Sequence, residues 1–277
     1  MTTSTSSDAV ADRHDPHRVT PRSAGFVHDL LTVSLRALRL TLREPEAFVP
    51  ALIIPVFFFV VNVGALQSFV EGSLPPGFDY KAFQLPVSVI FAVTGVSRAG
   101  SLVIDIQDGY FDRLLLTPVK RGTLLLGLMS ADLALILALA IPVTILGLVV
   151  GVSSATGVLG LVVFVIVAGL WGLAFTGFPY AIALRTGNPA AVNNAFLLFF
   201  PFAFLTTAYL PAEQMTGWLA TAAKFNPVTY LLDAMRTMLM VGWDAESLLK
   251  GLAAIGVVGA VAFGLAFAAL RGRVRRS

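Results

Sequence analysis

Six runs of roughly twenty apolar residues constrain this chain more than anything else in it. They are residues 48–66, 83–104, 123–150, 158–184, 190–210 and 248–270. A helix rises about 1.5 Å per residue, so each run is long enough to cross the ~30 Å hydrocarbon core of a bilayer. The pattern predicts an all-α polytopic membrane protein with six transmembrane helices. A soluble domain with a large core is the alternative, but it needs polar surface. Only 13% of the 277 residues are charged, against roughly 25% in soluble domains. The third and fourth runs are long enough to tilt or bend, and Pro142 and Pro179 offer places to do so.

The residues between the runs set the orientation. Arg13, Arg18, Arg22, Arg36, Arg39, Arg43, Arg113, Lys120, Arg121, Arg185, Arg271, Arg273, Arg275 and Arg276 fall on one side of a six-span layout; Lys81, Lys224, Arg236 and Lys250 fall on the other. Basic residues gather on the cytoplasmic face. Both termini are therefore expected in the cytoplasm, and the chain is expected in the cell membrane as a multi-pass protein. The net charge of +3 is not a nucleic-acid signature, and no nucleic-acid partner is expected.

Residues 1–24 are rich in Ser and Thr and contain no apolar run, which predicts a disordered cytoplasmic tail rather than a signal peptide. Across residues 26–44, Leu31, Leu35, Leu38 and Leu42 recur at helical spacing beside Arg36, Arg39 and Arg43. That pattern suits an N-terminal helix in the inner lipid interface. Val33 and Leu40 spoil the polar face, so an ordinary pre-membrane helix also fits. Residues 25–277 are otherwise read as one transmembrane domain.

The segment DIQDGYFDRLLLTPVKR, residues 105–121, is the most charged interruption. Asp105 is placed to cap a helix starting at Ile106, with Asp108 near its positive end. Phe111, Leu114 and Leu115 form an apolar face, and Thr117-Pro118 is a stop. A surface helix that docks into another protein and a wet linker both fit. On the opposite side, residues 211–247 are too apolar for a free loop. Trp218, Leu219, Ala222 and Phe225 form one short helical run, and Tyr230, Leu231, Ala234, Met238 and Leu239 another, divided by Pro227. Two short re-entrant helices in the outer leaflet are expected.

Some polar residues lie within the runs. Asp132 is about 16 Å beyond Arg121 along a helix, too deep to reach water easily. Arg98 either snorkels to the inner headgroups or pairs with Asp132. Asn62, Asn193 and Asn194 fit interhelical hydrogen bonds or the wall of a pathway. Asp233 and Arg236, three apart, can share a helix face. The Phe-rich stretches 57–60 and 196–204 suit lipid packing first, and an amphipathic aromatic substrate second.

Catalytic sets are missing. The chain has no Cys, and its three His residues, His14, His17 and His28, precede the first run. Disulfides, thiolate sites, intramembrane Ser/His pairs and His-ligated zinc are excluded. There is no G-x-x-x-x-G-K-[ST], and none of the four lysines follows a Gly. No enzyme activity, metal or cofactor is expected in this chain.

Three matches go beyond composition. Asp105, Gly109, Asp112 and Arg113 stand in the pattern D-x-x-x-G-x-x-D-R, followed by Leu116-Thr117-Pro118-Val119 and Lys120-Arg121. Gly127 and Asp132 follow at family positions, and NPVTYLLDAMR occupies residues 226–236. In order, over roughly residues 25–276, these resemble permeases of the ABC-2 exporter type, in particular those of daunorubicin/doxorubicin-resistance transporters. Asp108 departs from the Glu that many such permeases carry. The resemblance implies a half-transporter: two permease chains, identical or paralogous, in membrane lipid, with ATP and Mg held by separate ATP-binding subunits. It implies coupling through a cytoplasmic helix at Asp105, Asp108, Gly109, Phe111, Asp112, Arg113, Leu116 and Pro118. It also implies an external gate at Asn226, Pro227, Asp233 and Arg236. The expected cargo is a hydrophobic or amphipathic drug- or lipid-like compound. Export of polysaccharide or another glycoconjugate is the alternative, and a stand-alone channel or carrier a more distant one.

Overall fold

The computed structural model describes residues 45–94, 96–110 and 121–274, and all the regular structure in them is helical. The tail and interfacial helix expected over 1–44, and Phe111, Asp112, Arg113, Leu116 and Pro118 of the coupling segment, lie outside the described residues.

Helix α1 (Pro45–Ser73) carries the first run and continues past it. Ile53, Ile54, Phe57, Val60, Val61 and Phe69 are exposed along it, while Phe59 and Val70 are buried. An outer face as apolar as the inner one is what a lipid solvent permits. A short turn leads to α2 (Tyr80–Val93). Asp79 caps it, its Oδ1 accepting the Lys81 and Ala82 N–H groups at 2.9 and 3.1 Å. Glu71 accepts the Tyr80 N–H at 3.1 Å. Apart from Lys81, every residue of α2 is buried; it is the central helix of the bundle.

The second run does not continue as one helix. It stops at Val93 and restarts as α3 (Ala99–Gln107). The reason is a set of local competitors for backbone groups. The Thr94 hydroxyl donates to the Ile90 carbonyl at 2.6 Å, and Ser97 Oγ accepts the Ala99 N–H at 3.1 Å. Asp105 lies inside α3 rather than capping a new helix at Ile106. The helix ends instead at Gln107, with Gly109 at φ +70°, a conformation that costs glycine little.

Helices α4 (Arg121–Val149) and α5 (Gly157–Thr186) are continuous through Pro142 and Pro179. Gly187, at φ +59°, ends α5. The fifth run also breaks. It comprises α6 (Pro189–Asn193), a 3-10 turn (Asn194–Leu198) and α7 (Phe199–Phe204), after which the chain is not helical until Ala212. The Thr206 hydroxyl donates to the Ala203 carbonyl at 2.7 Å and accepts the Ala208 N–H at 3.1 Å, local bonds that compete with the next helical turn. A 3-10 turn (Ala212–Gln214) precedes α8 (Gly217–Phe225) and α9 (Pro227–Met240). Trp218 and Phe225 of α8 point outward, 74% and 83% exposed, while Leu219 and Ala222 of the same stripe are half-buried. Helix α10 (Ala245–Val274) closes the fold.

Among the described residues, four helices are long and apolar enough to cross a membrane, within α1, α4, α5 and α10. Of the six runs expected to span, four are uninterrupted helices of that length among the described residues, and the second and fifth are divided. Loop contacts define the two ends of the bundle. At one, the Ala155 N–H donates to Leu239 and the Thr156 hydroxyl to Met238. At the other, Gln107 Nε2 donates to the Gly187 carbonyl at 3.0 Å.

Helix α10 lies against α5 at van der Waals range. A methyl added at Gly177 would meet the Ala262 carbonyl carbon at 2.6 Å, and backbone cannot yield as a side chain can. Gly177→Ala is expected to lower the stability of the purified protein by about 1–3 kcal/mol, the usual cost of overpacking. Thermal unfolding in detergent, followed by tryptophan fluorescence, checks it.

Candidate functional site

Buried apolar residues form two main clusters, one above the other along the helices. The larger includes Val93 of α2, Ile136 of α4, Phe175 of α5, Phe199 of α7 and Ile255 of α10. The smaller includes Ala99 and Leu102 of α3, Met129 of α4, Tyr180 of α5, Val192 of α6 and Ala266 of α10. The break in the second run lies between them. So does Asp132, one turn from Met129 and one from Ile136.

Asp132 is fully buried. Its Oδ1 accepts the backbone N–H of Arg98 at 2.9 Å, at the start of α3. Asp132 and Arg98 do come together, therefore, but through the amide and not through the guanidinium. Asp132 Oδ2 and the Tyr180 hydroxyl are buried beside each other. On the other side of the break, the Trp171 indole N–H donates to the Thr94 hydroxyl at 2.9 Å. The ends of α2 and α3 are thus tied to α5 and α4 respectively. Ser97, Thr94, Trp171 and Tyr180 escaped the sequence reading. Each is an ordinary residue in an apolar run, and only the break gives it a role.

A second constellation gathers at the other broken segment. Asn226 caps α9, its Oδ1 accepting the Val228 N–H at 2.9 Å. Its Nδ2 donates to the Phe202 and Leu205 carbonyls at 2.7 and 2.8 Å. Pro227 follows at the first helical position, where its missing N–H costs nothing. Three turns on, Arg236 is buried. Its Nε donates to the Phe83 carbonyl at 3.0 Å and Nη1 to the Thr207 hydroxyl at 3.0 Å. Nη2 donates to the Thr207 and Ala208 carbonyls at 2.9 and 3.4 Å. The guanidinium carbon stands 3.4 Å over the Phe83 ring, a cation–π contact. Asp233 is exposed, and the guanidinium's hydrogen bonds go to the backbone and hydroxyl oxygens above rather than to its carboxylate.

The other singled-out residues are dispersed. Asn62 Nδ2 donates to its own helix at Phe58, 2.8 Å away, and Asn193 and Asn194 are exposed at the α6 boundary. Asp108 is exposed and Asp105 half-buried at the Gln107 end. The Phe-rich stretches divide between roles: Phe199 packs against Phe91, Trp171 and Phe175, while Phe57 is exposed. At the opposite end, Asp244 accepts from the Ser247 hydroxyl and from the Ser247 and Glu246 N–H groups at the start of α10. These bonds hold its carboxyl below the usual carboxylate range. Among the described residues no three His, Cys, Asp or Glu side chains are grouped as a metal would need.

The sequence pattern described as "ABC-2 type transporter" matches residues 28–240. The daunorubicin resistance ABC transporter permease protein DrrB1 of Streptomyces coeruleorubidus is 28% identical over 227 residues, covering 79% of this chain and 77% of that protein. The probable doxorubicin resistance ABC transporter permease protein DrrC of Mycobacterium tuberculosis is 24% identical, covering 78% and 79%. The putative transport permease ycf38 of Pyropia yezoensis is also 24% identical, covering 80% and 78%.

Proposed function

Because the chain belongs to the ABC-2 type transporter family, we propose that it is the membrane-embedded permease of an ATP-driven exporter. The match over residues 28–240 carries this reading, since it takes in both broken segments and the stretch between α3 and α4. The chain has no Walker motif, so ATP and Mg belong to a separate ATP-binding subunit. A second permease chain, identical or paralogous, completes the pathway. Residues 105–121 face the cytoplasm and receive the ATP-binding subunit. α3 leads straight into that segment, so closure of the ATP-binding pair would displace α3 first.

The cargo we propose is hydrophobic or amphipathic, with drug-like or lipid-like character. The relatives named for daunorubicin and doxorubicin resistance support this, as does an outer surface in which Phe57, Phe69, Phe200 and Phe204 are exposed. The test is uptake of a fluorescent amphipathic compound such as doxorubicin into inside-out vesicles containing this chain and its ATP-binding subunit. Uptake is expected only with both chains and hydrolysable ATP. Uptake by this chain alone, or uptake unaffected when the Walker lysine of the subunit is replaced, overturns the proposal.

A further inference from the structure

Between the two apolar clusters, the second and fifth runs are interrupted, and two continuous helices carry residues unlike their surroundings. In the second run, α2 ends at Val93 and α3 starts at Ala99. α5 carries Gly177 and Pro179 between Phe175 of one cluster and Tyr180 of the other. The fifth segment passes from α-helix to 3-10 turn between Val192 and Phe199. α4 runs through unbroken but places Asp132 there. A carboxyl group at that depth is expensive, and an apolar residue of similar size would usually be neutral or better for stability. Asp132 Oδ1 accepts the N–H of Arg98, the residue that caps α3, at the end of a helix that favours negative charge.

We propose that Asp132 is the positioning residue through which displacement of α3 is transmitted to α4 and the larger cluster. The inference rests on the exporter reading and deepens it. Were the second run a rigid rod, motion at residues 105–121 would travel along it to α2. The break uncouples α2 from α3. The bond from the Arg98 N–H to Asp132 then gives α3 a pivot on α4: it holds the helix end in place while leaving the far end of the helix free to tilt. Tyr180, beside Asp132 on α5, belongs to the smaller cluster and keeps the joint within the moving layer.

The experiment uses the full complex with its ATP-binding subunit in vesicles and measures substrate moved per ATP hydrolysed. Asp132→Asn keeps an oxygen for the Arg98 N–H and is expected to stay within about threefold of wild type. Asp132→Ala removes the acceptor and is expected to lower transport per ATP by about tenfold while ATP hydrolysis continues. A structural role alone would lower both activities together and leave the ratio unchanged, which would overturn the proposal; so would Asn uncoupling as fully as Ala. Should the Ala variant not assemble, spin labels on the native Asp132 background decide. The distance between Ile104 and Ile145 is expected to change by about 2 Å or more on vanadate trapping, while that between Ile145 and Val162 stays fixed. An unchanged Ile104–Ile145 distance overturns the proposal. Wild-type vesicles without ATP-dependent uptake would instead refute the exporter reading.

Discussion

Arg236→Met is expected to loosen the fifth segment and abolish transport while leaving the helices intact. The guanidinium serves four acceptors on two separate elements: Phe83 of α2, and both Thr207 oxygens and the Ala208 carbonyl beyond α7. The 207–208 stretch is not helical, so its carbonyls have no partner in their own segment. A buried acceptor left without a donor costs about 1–3 kcal/mol. Met also removes the burden of burying a charge, which offsets part of that loss. The net expectation is a loss of about 3 kcal/mol or more. Arg236→Lys keeps the charge but presents a single point of donors and cannot span these groups, so about half the loss is expected to remain. Denaturation in detergent measures the stability. Proteolysis at residues 205–211 would show where the structure opens. A Met variant as stable as wild type would mean that water takes over these carbonyls at no cost.

Asn226 gives the second large effect, and its two ends can be separated. The amide oxygen caps α9, and the amide nitrogen holds the Phe202 and Leu205 carbonyls at the end of α7. Asn226→Ala loses both and is expected to cost about 2–4 kcal/mol: roughly 1 for the cap and the remainder for the two carbonyls. Asn226→Asp keeps a capping oxygen but sets a carboxylate against two carbonyls. If capping were the whole role, Asp would be harmless; it is expected instead to be at least as damaging as Ala. Thermal unfolding of the three proteins side by side, with substrate uptake as the second measurement, distinguishes the two outcomes.

Both substitutions fall in NPVTYLLDAMR, which the sequence marks as important without saying why. The expectation of an Asp233–Arg236 pair treated the two residues as neighbours on one helix. In the fold, Arg236 turns inward to partners as far as 153 positions away. Asp132 was legible as a deep charge, and Arg98 as a candidate partner. That the bond runs to an amide was not legible, because it exists only where the helix is broken.

The sequence by itself determined everything governed by local composition. Four of the six apolar runs became helices long enough to cross a membrane, and Asn226-Pro227 marked the division between α8 and α9. Tertiary structure alone decided which runs stay whole. A broken segment and a continuous one have the same hydropathy, since both are apolar throughout. What permits a break in an apolar interior is a supply of hydrogen-bond partners for the freed backbone groups. Those partners are Asp132, 34 positions from Arg98, and Asn226, 21 and 24 positions from the carbonyls it holds. They become neighbours only once the bundle has formed.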